Sequence, residues 1–239
     1  MSITSKIEWT ETTWNPVTGC TKISQGCEHC YAATLAKRLK AMGNVRYANE
    51  FQVTVHEDLL EKPLEWKKGR MIFVNSMSDL FHEEVSDEVI LKIFNTMNQA
   101  SWHIFQVLTK RPDRLLALSK DIVWTDNIWM GVTIESNKYI DRCEKLKKTG
   151  AHIKFISAEP LLEDILDINL QGIDWLIVGG ESGSGARIMN EKWVLNLKNK
   201  ASESGTAFFF KQWGGVNKKK TGKLLEGKVV QEYPKYETN

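Results

Sequence analysis

Along most of this chain, short apolar runs alternate with longer stretches of helical periodicity. The runs cover 52–56, 71–75, 103–108, 128–134, 153–156, 175–178 and 206–210. They are rich in Val, Ile and Phe and nearly continuously apolar, the pattern of strands buried on both faces of a parallel sheet. Helical stretches follow several of them, at 87–100, 111–119, 137–149 and 190–204. Asp87 and Asn190 read as amino-terminal caps, and Gly150 and Gly205 as stops. The runs begin roughly 20 to 35 residues apart, the scale of a βα unit. A segment ahead of the cysteines supplies a first strand, which makes eight units. That count predicts an α/β chain folded as a (β/α)8 TIM-type barrel, complete or nearly so, in preference to an open doubly wound sheet. The barrel is expected as a single domain over 1–213. The stretch 214–239, with Lys218, Lys219, Lys220 and Gly222, reads as a basic arm or hairpin packed on it.

One polar stretch interrupts the pattern. After the first strand, three of the four cysteines fall within eleven residues: Cys20, Cys27 and Cys30, spaced C-x6-C-x2-C. From Tyr31 the pattern turns helical, with Ala32, Leu35, Ala36, Leu39 and Met42 recurring up to Gly43. Soft thiolates grouped in this way suit zinc or an iron–sulfur cluster. A structural zinc takes four protein ligands, so His29, His56 or Cys143 would have to complete the set. An odd local count, with few cysteines in all, argues against a disulfide framework. Three cysteines on a four-iron cluster leave one iron open to a small chelating molecule, which makes the loop a reaction site. Cys143 lies inside a helical pattern and reads as a small buried hydrophobe. His103 and His152 precede strands and read as structural, whereas His82 fits either role.

The carboxyl ends of barrel strands share one face, where barrel enzymes bind ligands. Here those ends are polar throughout. They carry His56 and Glu57; Asn75, Ser76, Ser78 and Asp79; Thr109, Lys110 and Arg111; Glu135 and Ser136; Ser157 and Glu159; Gly179, Gly180, Glu181 and Ser182; Lys211, Gln212 and Trp213. Each cluster alone is as readily a turn or cap as a site. All of them together favour a site, with the cysteine loop opening on the same face. The glycines around Glu181 lack the full G-x-G-x-x-G spacing of a dinucleotide fingerprint. Ordinary hydrolase chemistry has no signature either: there is no Walker loop, nucleophile elbow or H-E-x-x-H.

Composition changes this picture little. An apolar content of 42% in 239 residues supports a sizeable core. A net charge of +2 gives no global pull toward nucleic acid or membrane. No apolar run reaches transmembrane length, and the start lacks a leader's apolar core. A cytoplasmic, reducing location without a membrane partner is therefore expected. Nine tryptophans is a high count, and several are expected to line a pocket.

A three-cysteine loop after the first strand of a βα barrel resembles the radical S-adenosylmethionine superfamily. More closely, Ile7-Glu8-Trp9-Thr10, Trp14-Asn15-Pro16-Val17-Thr18-Gly19-Cys20 and Gly26-Cys27-Glu28-His29-Cys30-Tyr31-Ala32 resemble a family of phage and prophage proteins. That family is known by its three-cysteine motif, and its function is unassigned. The likeness continues through Asn75-Ser76-Met77-Ser78-Asp79-Leu80-Phe81, Leu108-Thr109-Lys110-Arg111-Pro112, Gly131-Val132-Thr133-Ile134-Glu135 and Gly179-Gly180-Glu181-Ser182-Gly183, to Lys211-Gln212-Trp213-Gly214-Gly215. The usual superfamily spacing is C-x3-C-x2-C, with an aromatic residue before the last cysteine. Here the first gap is six residues, and His29 holds the aromatic position. The third and fourth strand ends look most similar to spore photoproduct lyase and its relatives, which points to Ser76, Asp79 and Lys110 as S-adenosylmethionine contacts.

The resemblance implies that Cys20, Cys27 and Cys30 hold three irons of a [4Fe–4S] cluster. The fourth iron would bind S-adenosylmethionine, whose reductive cleavage gives a 5′-deoxyadenosyl radical. Asn75, Ser76, Ser78 and Asp79 would cup its amine and ribose, with Lys110, Glu135 and Ser136 completing that wall. Glu159, Glu181, Lys211 and Trp213 would face the substrate, and Tyr31 would flank the adenosyl group. The implied partners are a flavodoxin-like or ferredoxin-like electron donor, a nucleic-acid or nucleotide substrate, and a protein encoded nearby. Two other readings stay open. One is a nucleic-acid-binding protein with a structural zinc or cluster, supported by Lys37, Arg38, Lys40 and tryptophans able to stack on bases. The other is a barrel without catalysis that docks to a partner through the loop.

Overall fold

The computed structural model describes residue 5 and residues 7–236. Most of the supposed leader-free start (1–4 and 6) and the last residues of the predicted arm (237–239) lie outside the described residues. The strands are β1 (Thr12–Trp14), β2 (Val17–Thr18), β3 (Thr54–Val55), β4 (Met71–Val74), β5 (Ile104–Thr109), β6 (Ile128–Thr133), β7 (Ile153–Ala158), β8 (Trp175–Gly179) and β9 (Ala207–Gln212). The helices are α1 (Tyr31–Ala41), α2 (Asp87–Gln99), α3 (Pro112–Leu118), α4 (Asp141–Lys147), α5 (Glu191–Ser204) and α6 (Lys218–Thr221).

The fold is mixed α/β around a parallel sheet of seven strands, ordered β1-β4-β5-β6-β7-β8-β9. The chain divides into two compact units. The first holds the chain up to Ile23, Cys30–Met130 and Thr149–His152. The second holds Ser24–His29, Gly131–Lys148 and everything from Ile153 on. Strand β6 begins in the first and ends in the second.

The apolar pattern predicts eight strands in one sheet, and the run at 52–56 departs from it. Only Thr54 and Val55 are extended there, and they pair antiparallel with β2, Val17 opposite Val55. Both residues are half-buried, and two 3-10 turns follow instead of a crossover helix. The crossover helix that usually joins parallel strands is missing between β3 and β4.

Local chemistry explains the helix ends. Ser86, not Asp87, caps α2: its hydroxyl accepts from the Val89 N–H at 3.3 Å. Asp87 takes the first helical position, where a carboxylate complements the helix dipole. Asn190 caps α5 by accepting from the Lys192 N–H at 2.9 Å, and Gly205 closes it in the left-handed conformation, φ 69°. The stretch 137–149 forms as a 3-10 turn followed by the short α4. Helix α1 buries the small Ala32 and Ala36 against Tyr47 and Met77, leaving Met42 80% exposed.

In the second unit the core is built on β8, buried along its whole length. Its Trp175 packs on Phe155, Phe209 and Tyr233 and donates its indole N–H to the Glu232 carbonyl at 2.8 Å. Burying one such side chain is worth roughly 2–3 kcal/mol. Trp9, Trp14 and Trp129 are likewise buried, so these tryptophans fill the core. After α6 the tail turns between Leu225 and Lys228 and runs antiparallel beside β9, where the Phe210 N–H donates to the Val230 carbonyl at 2.8 Å. Among the described residues no helix is long and apolar enough to cross a membrane.

Candidate functional site

In the first unit, β4 ends at Asn75, which is buried and left-handed at φ 59°, a conformation asparagine tolerates better than most residues. Its side-chain oxygen accepts from the Val17 N–H at 3.2 Å, and its Nδ2 has no partner among the described residues. The next residues bind backbone and loop. The Ser76 hydroxyl donates to Asn15 Oδ1 at 3.1 Å, the Ser78 hydroxyl to the Val17 carbonyl at 2.9 Å, and the Tyr31 hydroxyl to the Ser76 carbonyl.

Asp79 ties the ends of β4 and β5 together. It accepts from the Thr109 hydroxyl at 2.6 Å, the Lys110 N–H at 3.0 Å, the Phe81 N–H at 3.1 Å and Arg111 Nη1 at 3.2 Å. Arg111 then reaches the cysteine loop. It donates to the Thr21 hydroxyl at 2.9 Å, and its Nη1 lies 3.6 Å from Cys20 Sγ. A cation beside sulfur favours the thiolate. Buried His82 pairs with the same Thr21 hydroxyl at 2.8 Å. Burial first, then the charge of Arg111, holds that imidazole below its ordinary pKa. Lys110 is half-buried, and it is its backbone N–H that bonds Asp79.

In the second unit, the strand-end carboxylates grip the middle of the same loop. Glu135, beyond β6, is fully buried and accepts from Arg142 Nη1 at 2.9 Å and from the Ser24 hydroxyl. Gly26 packs on it so closely that a Cβ there would sit 2.7 Å from Oε1. Arg142 is fixed by the Thr133 carbonyl at 2.7 Å and by the Tyr139 ring at 4.0 Å. Glu181, beyond β8, accepts from Arg187 Nε and N–H, both at 2.9 Å, from Arg187 Nη2 at 2.5 Å, and faces His29 Nδ1 at 3.1 Å. Burial pushes this carboxyl up, but those hydrogen bonds and the Arg187 charge outweigh it and hold it at about 2. Beyond β7, Glu159 accepts from Lys211 Nζ at 2.5 Å and from the Ser157 hydroxyl at 3.3 Å.

All four cysteines are thiols outside any disulfide; Cys20, Cys27 and Cys30 are half-buried. Three such thiols on one short loop, one beside a guanidinium, fit a thiolate-bound metal or iron–sulfur cluster in kind. Among the described residues, no three His, Cys, Asp or Glu side chains form a group that could hold one metal ion.

A family model described as "Protein of unknown function (DUF5131)" matches residues 4–234. The chain belongs to this family. No curated protein and no solved structure matches it.

In this DUF5131 chain, the residues singled out in sequence fall into two sets. Cys20, Cys30, Tyr31, Asn75, Ser76, Ser78, Asp79 and Lys110 belong to the first unit. Cys27, Glu135, Ser136, Glu159, Glu181, Lys211 and Trp213 belong to the second. Ser136 is buried at the start of the 3-10 turn before α4, and Trp213 donates its indole N–H to the Leu224 carbonyl at 2.8 Å. The other ligand candidates are engaged elsewhere. His56 pairs with the Thr18 hydroxyl at 2.9 Å, and Cys143 is buried in α4 with its thiol pushed up to about 11 by burial. His103 is buried against the Pro63 carbonyl, and His152 pairs with Asp126 on the surface. Sequence reasoning missed Thr21, Ser24, Arg142 and Arg187, which tie the loop to the strand ends. Arg187 follows a stretch of glycine and serine, where only a lone cation among small residues marks it.

Proposed function

We propose that this chain is a radical S-adenosylmethionine enzyme on a (β/α)-barrel type of sheet, with Cys20, Cys27 and Cys30 holding a [4Fe–4S] cluster. One observation carries the reading: the three-cysteine loop is bonded to residues just past the carboxyl ends of strands. In the first unit Cys20 and Thr21 meet Arg111 after β5; in the second Ser24 meets Glu135 after β6 and His29 meets Glu181 after β8. A plain connection between β2 and α1 would need no such anchorage, whereas ligand chemistry in parallel α/β folds belongs at those ends. Together, the bound cluster and S-adenosylmethionine would supply reductive cleavage of the sulfonium and hydrogen abstraction from a substrate.

The chain's own groups have consistent roles. The Arg111 guanidinium lies beside the Cys20 sulfur. Lys110 offers a cation, and Asn75 Nδ2 a buried donor, to a polar ligand. Glu159 and Lys211 form a partly buried charge pair suited to orienting a polar substrate group. A nucleotide or nucleic acid is the proposed substrate class, a flavodoxin-like or ferredoxin-like protein the proposed donor, and the cytoplasm the proposed location. Purified anaerobically and reduced with dithionite in the presence of S-adenosylmethionine, the chain is expected to release 5′-deoxyadenosine. A zinc-loaded chain that releases none would contradict the proposal. It would favour a nucleic-acid-binding protein instead, a reading that the exposed Lys37 and Arg38 on α1 support.

A further inference from the structure

We infer that Arg187 is a positioning residue for Cys27: it clamps the turn that presents this thiol. The inference rests on the proposed metal-binding role of the cysteine loop, but the clamp itself is visible in the second unit alone.

The 3-10 turn Gln25–Cys27 has no side-chain cap of its own, and none of its residues is buried. Beyond the close approach of Gly26 to Glu135, the turn is held by Arg187, through separate hydrogen bonds on either side of Cys27. Its Nη2 donates to the Gln25 carbonyl at 3.0 Å, and its Nη1 to the Glu28 carboxylate at 3.2 Å. The guanidinium is itself immobilised by the two-point pair with Glu181, whose carboxylate also meets His29. From the other side, Ser24 is held by Glu135 and lies 3.5 Å from Cys27 Sγ. Two buried carboxylates beyond β6 and β8 thus fix the turn around one thiol. Glu135 and Glu181, which the resemblance implies meet cofactor and substrate, both bond to the loop. Arginine suits this place because its five donors lie in a rigid planar fork, which can pair with the Glu181 carboxylate at two points and still reach Gln25 and Glu28, whereas an ammonium is a point charge with three donors.

The test is site-resolved thiol labelling of the metal-free, reduced chain with iodoacetamide, read by mass spectrometry. Losing the clamp should open the turn: Arg187→Ala is expected to raise Cys27 alkylation about tenfold, as expected for losing about one charged hydrogen bond. Cys20, held by Arg111 in the first unit, should change by less than about twofold by the same reasoning. Arg187→Lys should recover only part of the protection. Glu28→Gln, which leaves the Glu181 pair intact, should give a smaller rise and covers the case in which Arg187→Ala fails to fold. Equal Cys27 reactivity in wild type, Arg187→Ala and Glu28→Gln would overturn the inference. Iron content separates the two claims. An iron-loaded wild type with Arg187-independent labelling sinks only the clamp, whereas Arg187-dependent labelling in a chain that takes up no iron sinks only the cluster.

Discussion

Glu181 lies just past β8, with its carboxylate between the Arg187 guanidinium and the His29 ring. The family resemblance implies that this carboxylate faces the substrate. In the structure its oxygens are engaged by Arg187 and His29. Its pKa of about 2 lies below its ordinary value of 4.5, so the folded state favours the charged form. The stabilisation is therefore complete above about pH 4.5 and is lost as pH falls toward 2. Glu181→Gln is expected to cost about 1–2 kcal/mol at neutral pH, discounted because Arg187 is partly exposed. Thermal unfolding of both proteins across that range checks this: the gap in Tm should close toward pH 2. A gap that stays constant down to pH 2 would show that the pair does not hold the fold. Sequence could propose the strand-end carboxylates, because position past a strand is readable from periodicity. It could not say which cation each would meet. Arg142 lies in a helical pattern and Arg187 in a loop, and only the folded backbone brings them to Glu135 and Glu181.

At the scale of elements, the strands and helices were legible where burial is two-sided and caps are strong. The runs at 71–75, 128–134 and 175–178 are strands because both faces are covered, and α5 lies between Asn190 and Gly205, as its end residues predict. Legibility failed at 52–56, where a half-buried run lacks a following helix, and at α2, where serine outcompetes aspartate as the cap. The ends of β8 and β9 show a feature no pattern announces. Gly180 and Gly214 bring the two backbones into close contact, and a Cβ on Gly180 would fall 2.0 Å from the Trp213 carbonyl oxygen. Beside it, the Gly180 N–H donates to the Gln212 carbonyl at 3.0 Å and the Gly215 N–H to the Glu181 carbonyl at 2.6 Å. Gly180→Ala is therefore expected to destabilise the chain by about 3 kcal/mol or more, since backbone cannot move aside as a flexible side chain would. Urea unfolding measures this. A midpoint equal to wild type would mean that the strand ends are not zipped together.

Across the whole chain, a parallel α/β sheet follows from apolar runs spaced at the βα scale, and seven strands bear this out. The three cysteines stand out in sequence by spacing alone, and the structure adds their anchors: Arg111 for the first, Ser24 and Arg187 for the segment around the second. Membership of a family of unknown function leaves the chemistry to be read from these residues. The proposed function places an iron–sulfur cluster on this loop. Iron and acid-labile sulfide per chain, measured after anaerobic reconstitution of wild type and Cys30→Ala, test it most directly. Roughly four of each are expected in wild type, with most of both lost in the variant. One zinc per chain with no sulfide, or full iron in Cys30→Ala, would contradict the proposal.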